Sequence, residues 1–380
     1  MKQGNSNKRL LAVLIAAVLL LGVTSACGGR ADNKAASPPQ ASPSVAATQT
    51  AAPETAATRT VKDMAGNDVV LPQKLEKVAI THWGEVFDIF TSLGEVDRIA
   101  AMADTTRYPW IRRMLPQVAD IPDYGSFEEV NVEEMIKLDP DVIFVPASST
   151  KVNQKMRDLG LPVYVTKVED THEYYLKELR AISELLGKSA EAEALIQDQD
   201  RLIRLVQERV QDIPREQRKK VYIMRKDILQ KHNKDWQSSD SVEGAGGINI
   251  AGDTDKGFET NIESLLEWKP EVILQVIRMD NNDEYYKELA ADGRYRDIPA
   301  IASGETYVFP VGINYWYGSS ETGLGRLLIG KILYPERFAD IDLKKEAQAF
   351  YRQTIGLDMT DADYEMLLKN FNGARRMDDK

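Results

Sequence analysis

The sequence predicts an α/β protein of two similar lobes, each built on a parallel-type sheet, joined by a long rigid connecting helix, with a ligand cleft between the lobes. Three observations support this. The unit "NVEEMIKLDPDVIFV" at 131–145, a short helix passing through a proline-bearing turn into an apolar strand, has an echo 130 residues downstream, "NIESLLEWKPEVILQ" at 261–275. Around each copy short apolar strands alternate with helical patterns, the sequence sign of parallel sheets covered by helices. The stretch joining the two halves is strongly helix-forming. At 380 residues, 43% hydrophobic and 28% charged, the chain has the length and composition for two domains with sizeable cores.

Residues 1–26 read as a targeting signal. Lys2, Lys8 and Arg9 form a positive head, and "LLAVLIAAVLLLGV" (10–23) is an uncharged apolar core of 14 residues, short for a membrane span and right for a secretory signal. The small residues before Cys27 in "TSACGG" resemble a bacterial lipoprotein box, in which the cysteine becomes the lipidated first residue; Thr24 stands where leucine is usual. The alternative is a hydrophobic anchor, cleaved or retained, with an incidental cysteine. Cys27 is the only cysteine, so an exported chain carries no internal disulfide. Residues 27–59 are rich in Ala, Ser, Thr and Pro and nearly devoid of large apolar side chains, which predicts a flexible tether. Loss of residues 1–26 leaves 45 basic against 59 acidic residues, a net charge of −14, and a chain that acidic lacks the basic face a nucleic-acid partner requires.

The first lobe is expected over 60–169. "EKVAITH" (76–82) opens it with a strand, "TSLGEVDRIAAMAD" (91–104) supplies a glycine-containing turn, the repeated unit follows, and "LPVYVTKV" (161–168) closes it. The second lobe, 215–380, runs in parallel: "KKVYIMR" (219–225), "EGAGGINIAGD" (243–253), the second copy, and "ETYVFPVG" (305–312). Connecting helices are expected over 170–214, with a break at Gly187–Lys188 and a stop at Pro214. The part from Ser189 to Asp212 would be ~36 Å long at 1.5 Å per residue, a stiff brace that permits modest lobe movement.

In their order, "VKDMAGNDVVLPQKLEKVAI" (61–80), the two repeated units, "GGINIAGD" and "LYPERFADIDLKKEAQAFYRQTIG" (333–356) resemble the substrate-binding lipoproteins of ABC importers, in particular the helical-backbone class that delivers ferric siderophores, haem and cobalamin. The resemblance covers most of residues 60–357. It implies a monomer held by lipid on the outer face of the cytoplasmic membrane, working with a permease dimer and its ATPase. Asn131 and Asn261 are good helix N-caps, which places Glu133 and Glu263 in first turns where the helix dipole favours a negative charge. The resemblance gives both glutamates a second role, docking onto the permease.

Open α/β sheets present binding loops at the carboxyl ends of their strands, and the repeat locates those ends. In the first lobe they offer His82, Trp83, Arg107, Tyr108, Trp110, Tyr124, Ser126, Ser148 and Ser149. In the second they offer Arg225, Arg278 and, from "GINYWYGSSE", Tyr315, Trp316, Tyr317 and Glu321, with Trp236 a weaker candidate. Flat aromatic surfaces with a few cations suit an anionic ligand with an apolar rim. Each has a plainer reading as a solvated arginine, a packed ring or a locally bonded histidine. His172 and His232 are assigned to the surface.

Three histidines without paired spacing argue against a dedicated site for a bare metal ion, so metal is expected only inside a bound chelate and no cofactor is expected. "DNNDEYYKELAADG" and "GDTDKG" lack the glycine and closing glutamate of a calcium loop, and "GAGGIN" fails the dinucleotide spacing. No GxSxG and no cysteine nucleophile point to catalysis. The favoured ligand is a ferric siderophore. The alternatives are molybdate or tungstate, haem or cobalamin, and outside the family a secreted α/β enzyme or a surface sensor.

Overall fold

The computed structural model describes residues 57–369 except 83, 104–108, 126–128, 256 and 278–281, with the backbone alone at 109, 110, 282, 283 and 369. The signal segment, Cys27 and nearly all of the expected tether lie outside the described residues. The chain is already in a strand at Thr58, one residue before that tether was expected to end.

A hairpin comes first, β1 (Thr58–Lys62) against β2 (Asp68–Pro72). Then follow β3 (Val78–Ile80), α1 (Glu85–Ser92), β4 (Ile99–Met102), α2 (Pro109–Met114), α3 (Val132–Leu138), β5 (Val142–Pro146), α4 (Thr150–Asp158) and β6 (Val163–Thr166). Two helices connect the halves, α5 (His172–Leu186) and α6 (Ser189–Val210). The second half runs β7 (Lys220–Met224), α7 (Gln237–Gly244), β8 (Ile248–Asn249), α8 (Ile262–Trp268), β9 (Val272–Gln275), α9 (Asn282–Ala291), α10 (Pro299–Ser303), β10 (Thr306–Val308). It ends in α11 (Thr322–Leu333), α12 (Leu343–Ile355) and α13 (Asp361–Lys369).

The duplication is visible in the topology. The two four-stranded sheets are wholly parallel, ordered β4-β3-β5-β6 and β8-β7-β9-β10, so each strand has its counterpart in the same position. Within the repeated unit, Asn131 and Asn261 both cap their helices by accepting from the backbone N–H three residues on. Both helices then end on a non-glycine residue in the left-handed region, Asp139 (φ 50°) and Lys269 (φ 52°), which turns the chain into the following proline and strand.

Alternation along the strands sorts the core. Val78, Ile80, Val142, Phe144, Val221, Ile223, Val272 and Leu274 face one central cluster that runs through both halves and includes α5, α6 and α11. Their neighbours face away into a separate cluster for each lobe: Ala79, Ile143 and Val145 on one side, Tyr222, Met224 and Ile273 on the other. The helical connector breaks where expected, with Gly187 (φ 71°) closing α5. At 22 residues α6 is ~33 Å long and buries Leu195, Leu202, Val206 and Val210 along one stripe. The terminal helices reach back across the molecule, where Arg113 in the last turn of α2 pairs with Asp363 of α13 at 3.2 Å.

Candidate functional site

The carboxyl ends of both sheets meet in a cleft containing a cavity of about 200 Å³. A larger cavity of about 650 Å³ lies at the opposite, amino ends of the second sheet, lined by Lys219, Glu271 and Glu305, where this architecture presents no binding loops.

The first-lobe wall is made by Gly84 and Glu85 after β3 and by Lys167 and Asp170 after β6. Lys167 is a non-glycine residue in the left-handed region (φ 48°), a conformation that needs external support. Glu178 of α5 provides it, accepting the Lys167 backbone N–H at 2.8 Å. The Lys167 ammonium pairs with Glu85 and lies 3.7 Å from Asp170. Burial works to raise the Glu85 pKa, but the Lys167 charge, the nearby His82 and the hydrogen bond from Lys167 together outweigh it and hold the carboxyl below its usual value. Burial raises Asp170, with Lys167 opposing, and pushes Glu178 up to about 8 with help from Glu85. The first-lobe wall is therefore an acidic surface carrying its own counterion.

The second-lobe wall differs. Arg225, at the end of β7, holds its guanidinium 3.7 Å from the centre of the Phe258 ring and 6.0 Å from that of Trp236. Its Nε is buried with no hydrogen-bond partner, and no carboxylate pairs with it among the described residues. Burial lowers its pKa, from a value so high that the group stays charged. Beside it His232, 1% exposed, stacks on Trp236 with centroids 4.3 Å apart and planes 12° apart. Burial, then the Arg225 charge, push the His232 pKa down to about 3, so the ring is neutral. Tyr315 and Tyr317, stacked at 5.2 Å, complete the aromatic lining, with Asn314 and Gln237 as the polar members.

The loop that carries these tyrosines is fixed from behind by Glu321. Its buried carboxylate accepts the backbone N–H groups of Ile313 and Asn314, each at 3.0 Å, the Trp316 indole at 3.2 Å and the Tyr351 hydroxyl. A side chain at Gly312 would sit 1.8 Å from that carboxylate, so only glycine passes. Next to it Asp88 of α1 accepts from the Ser320 backbone N–H at 2.9 Å and from the Tyr175 hydroxyl at 2.7 Å, joining the first lobe to the second. Burial pushes Asp88 up to about 6, and burial with the nearby Asp88 charge pushes Glu321 up to about 8.

Of the residues expected in the cleft, Arg225, Tyr315 and Tyr317 line the cavity, as does the weaker candidate Trp236. Others are placed elsewhere. Trp316 is fully buried and bonded to Glu321, because its ring faces the central core while its two neighbours face out. Glu321 anchors the loop and does not line the cavity. His82 lies buried beside Gly84 with neither ring nitrogen partnered, and burial lowers its pKa to about 4. Tyr124 packs against the outer cluster of the first lobe, and Ser148 is exposed before α4 without lining the cavity. Trp83, Arg107, Tyr108, Ser126 and Arg278 lie outside the described residues, as does the side chain of Trp110. The assignment of His172 and His232 to the surface is wrong: both are buried, each stacked on an aromatic ring, His172 on Tyr175. Glu85, Lys167, Asp170, His232, Gln237 and Asn314 were missed. For Lys167 and Asp170 a signal existed, since both follow "LPVYVT" at a strand's carboxyl end. Among the described residues no group of three or more His, Cys, Asp or Glu side chains is arranged to hold a metal ion.

Comparison with known proteins agrees with this architecture. The periplasmic binding protein family matches residues 78–311, more than half of the chain. The molybdate-binding protein MolA of Haemophilus influenzae is 26% identical over 265 residues, 63% of this chain and 74% of that one. The ABC transporter substrate-binding lipoprotein YvrC of Bacillus subtilis is 24% identical over 216 residues, 56% of this chain and 61% of that one. The crystal structure of Haemophilus MolA bound to molybdate superposes with a TM-score of 0.70 at 22% identity, covering 79% of this chain and 98% of that one.

Proposed function

The chain belongs to the periplasmic binding protein family, and on that premise we propose that its cleft captures a compact oxyanion of the molybdate type for import. As a member of that family it is the substrate-binding component of an ABC importer, and not an enzyme. The observation that carries the ligand reading is Arg225, a half-buried guanidinium in an aromatic frame whose buried Nε has no hydrogen-bond partner and which no carboxylate pairs among the described residues. Its buried Nε–H stays without an acceptor until a ligand oxygen supplies one, and an anionic oxygen makes the stronger bond. The cavity of about 200 Å³ falls below the ~300–1,000 Å³ that encloses a drug-sized molecule, which supports reading the ligand as a tetrahedral oxyanion in preference to the ferric siderophore favoured by sequence. The binding of molybdate by MolA, a relative, supports the same order. The ferric chelate is the second reading, favoured by the stacked Tyr315 and Tyr317 and by Trp236, flat surfaces that suit a large ligand.

Arg107, Tyr108, Trp110 and Arg278 are proposed to complete the rim, lipidation of Cys27 to anchor the chain as a monomer outside the cytoplasmic membrane, and Glu133 and Glu263 to dock the permease. Both glutamates are exposed in the first turns of equivalent helices, α3 and α8. A thermal-shift titration with molybdate, tungstate, a ferric trihydroxamate, haem and cobalamin tests the ligand, since binding to the folded state raises its stability. Stabilisation by molybdate that disappears in Arg225→Ala is expected. A shift with the ferric chelate alone establishes the second reading, and no shift with any anion sinks the role given to Arg225.

A further inference from the structure

We infer that His232 supplies, through Nε2–H, a neutral hydrogen-bond donor to the anion held by Arg225, and that Ser238 fixes the ring tautomer that makes it one. The inference rests on the anion reading of the cleft. His232 lines the cavity, is 1% exposed, and has an Nε2 atom that is buried without a hydrogen-bond partner. An unpaired polar atom at that depth costs free energy unless something else satisfies it. Asn249 and Ile223 bond only the backbone of this residue, so they leave the ring nitrogen open.

The other ring nitrogen decides what Nε2 can do. Nδ1 lies 2.9 Å from the Ser238 hydroxyl, and Ser238, 2% exposed, makes no other hydrogen bond through that hydroxyl among the described residues. If Nδ1 carried the proton, both the serine hydrogen and the Nε2 lone pair would be buried unpaired. If the serine donates to Nδ1, its hydrogen is satisfied and only Nε2–H is left over, on a ring that lines the cavity. The second arrangement has one fewer unsatisfied group. Stacking on Trp236 at 12° fixes the ring plane, and Arg225, on the same aromatic frame, presents its own unpartnered Nε. The subsite thus offers two N–H donors. It favours an oxygen that only accepts, as in molybdate, over one bearing its own proton.

Two measurements on the full mature chain test this. Nitrogen-15 spectra of the ligand-free protein should show the His232 proton on Nε2; a proton on Nδ1 overturns the tautomer. Calorimetric titration with molybdate, and with tungstate where molybdate does not bind, should show His232→Leu weakened by roughly 10- to 100-fold, as expected for loss of a hydrogen bond to a charged group. His232→Gln, which keeps an N–H donor, should recover most of that loss, whereas a ring that merely packs on Trp236 would be lost equally in both. Wild-type affinity in His232→Leu, or no recovery in His232→Gln, overturns the inference and leaves the anion reading standing. Should His232→Leu fail to fold, Ser238→Ala serves in its place, with the ring retained and binding weakened; unchanged binding there overturns the role of Ser238. Wild-type protein that binds neither probe defeats the anion reading itself, and this inference falls with it.

Discussion

At the end of β7 a guanidinium lies 3.7 Å from the centre of a phenyl ring with no carboxylate paired to it among the described residues, and the chemistry of the cleft follows from that one side chain. Arg225→Ala is expected to weaken an anionic ligand by roughly 1.5 to 3 kcal/mol, and Arg225→Lys to recover little, because an ammonium cannot lie flat on Phe258 while donating sideways. Equal affinity for the wild-type and lysine proteins would contradict this. Buried titratable groups set a second expectation. The raised carboxyls favour the fold when protonated, so their contribution is complete below about pH 4 and is lost as pH rises, through about 6 for Asp88 and about 8 for Glu321. The buried His82 and His172 act oppositely, contributing above 6.5 and losing that contribution as pH falls towards about 4. Asp88→Asn should remove one descending limb, worth at most about 3 kcal/mol, between pH 4 and 6. Calorimetric midpoints that run parallel to wild type across that range would show that Asp88 does not titrate there. Arg225 was legible in the sequence because it directly follows a strand. His232 was not, since nothing in "KHNKDW" reveals that the fold carries that segment under the cleft.

Among the elements, α11 packs along α6 at a distance set by small residues. A Cβ at Gly325 would meet the Trp316 carbonyl oxygen at 1.9 Å, a backbone atom that cannot rotate away. Gly325→Ala is therefore expected to destabilise by about 1 to 3 kcal/mol, and by more if the loop carrying Tyr315 and Tyr317 is displaced. Denaturant unfolding measures it, and a change below about 0.5 kcal/mol would mean that the loop yields easily. Leu202 of α6, 2% exposed, faces the same junction near Gly323, and Leu202→Ala should cost about 2 to 5 kcal/mol. Helix α6 itself was readable from its apolar spacing and from the stop at Pro214. Its partner was not, because the glycines of "TGLGRLLIGKIL" look unfavourable for a helix until close packing explains them.

For the whole molecule, a ~33 Å helix and one core shared by both sheets restrict how far the lobes can move. The Asp88–Ser320 bond adds a tie directly behind the cleft. Small-angle scattering with and without saturating ligand should show little change in radius of gyration, and a large contraction would mean that the brace bends. Charge reversal at Glu133 and Glu263 together should abolish uptake in cells while leaving ligand affinity within about twofold. Lost affinity would instead place those helices in the fold of the cleft.

The sequence by itself determined the two-lobed plan, the repeated helix–turn–strand unit, the bracing helix and the carboxyl ends where binding loops gather. Those features are written in local spacing: apolar period, caps, prolines and a duplicated phrase 130 residues apart. Only the tertiary structure decided which side chains face the cavity. Tyr315, Trp316 and Tyr317 are adjacent in sequence, yet the middle ring enters the core and the outer two line the site. That outcome depends on Glu321 and Tyr351, which hold the loop from 5 and 35 residues beyond Trp316, and long-range bonds of this kind leave no trace in local pattern.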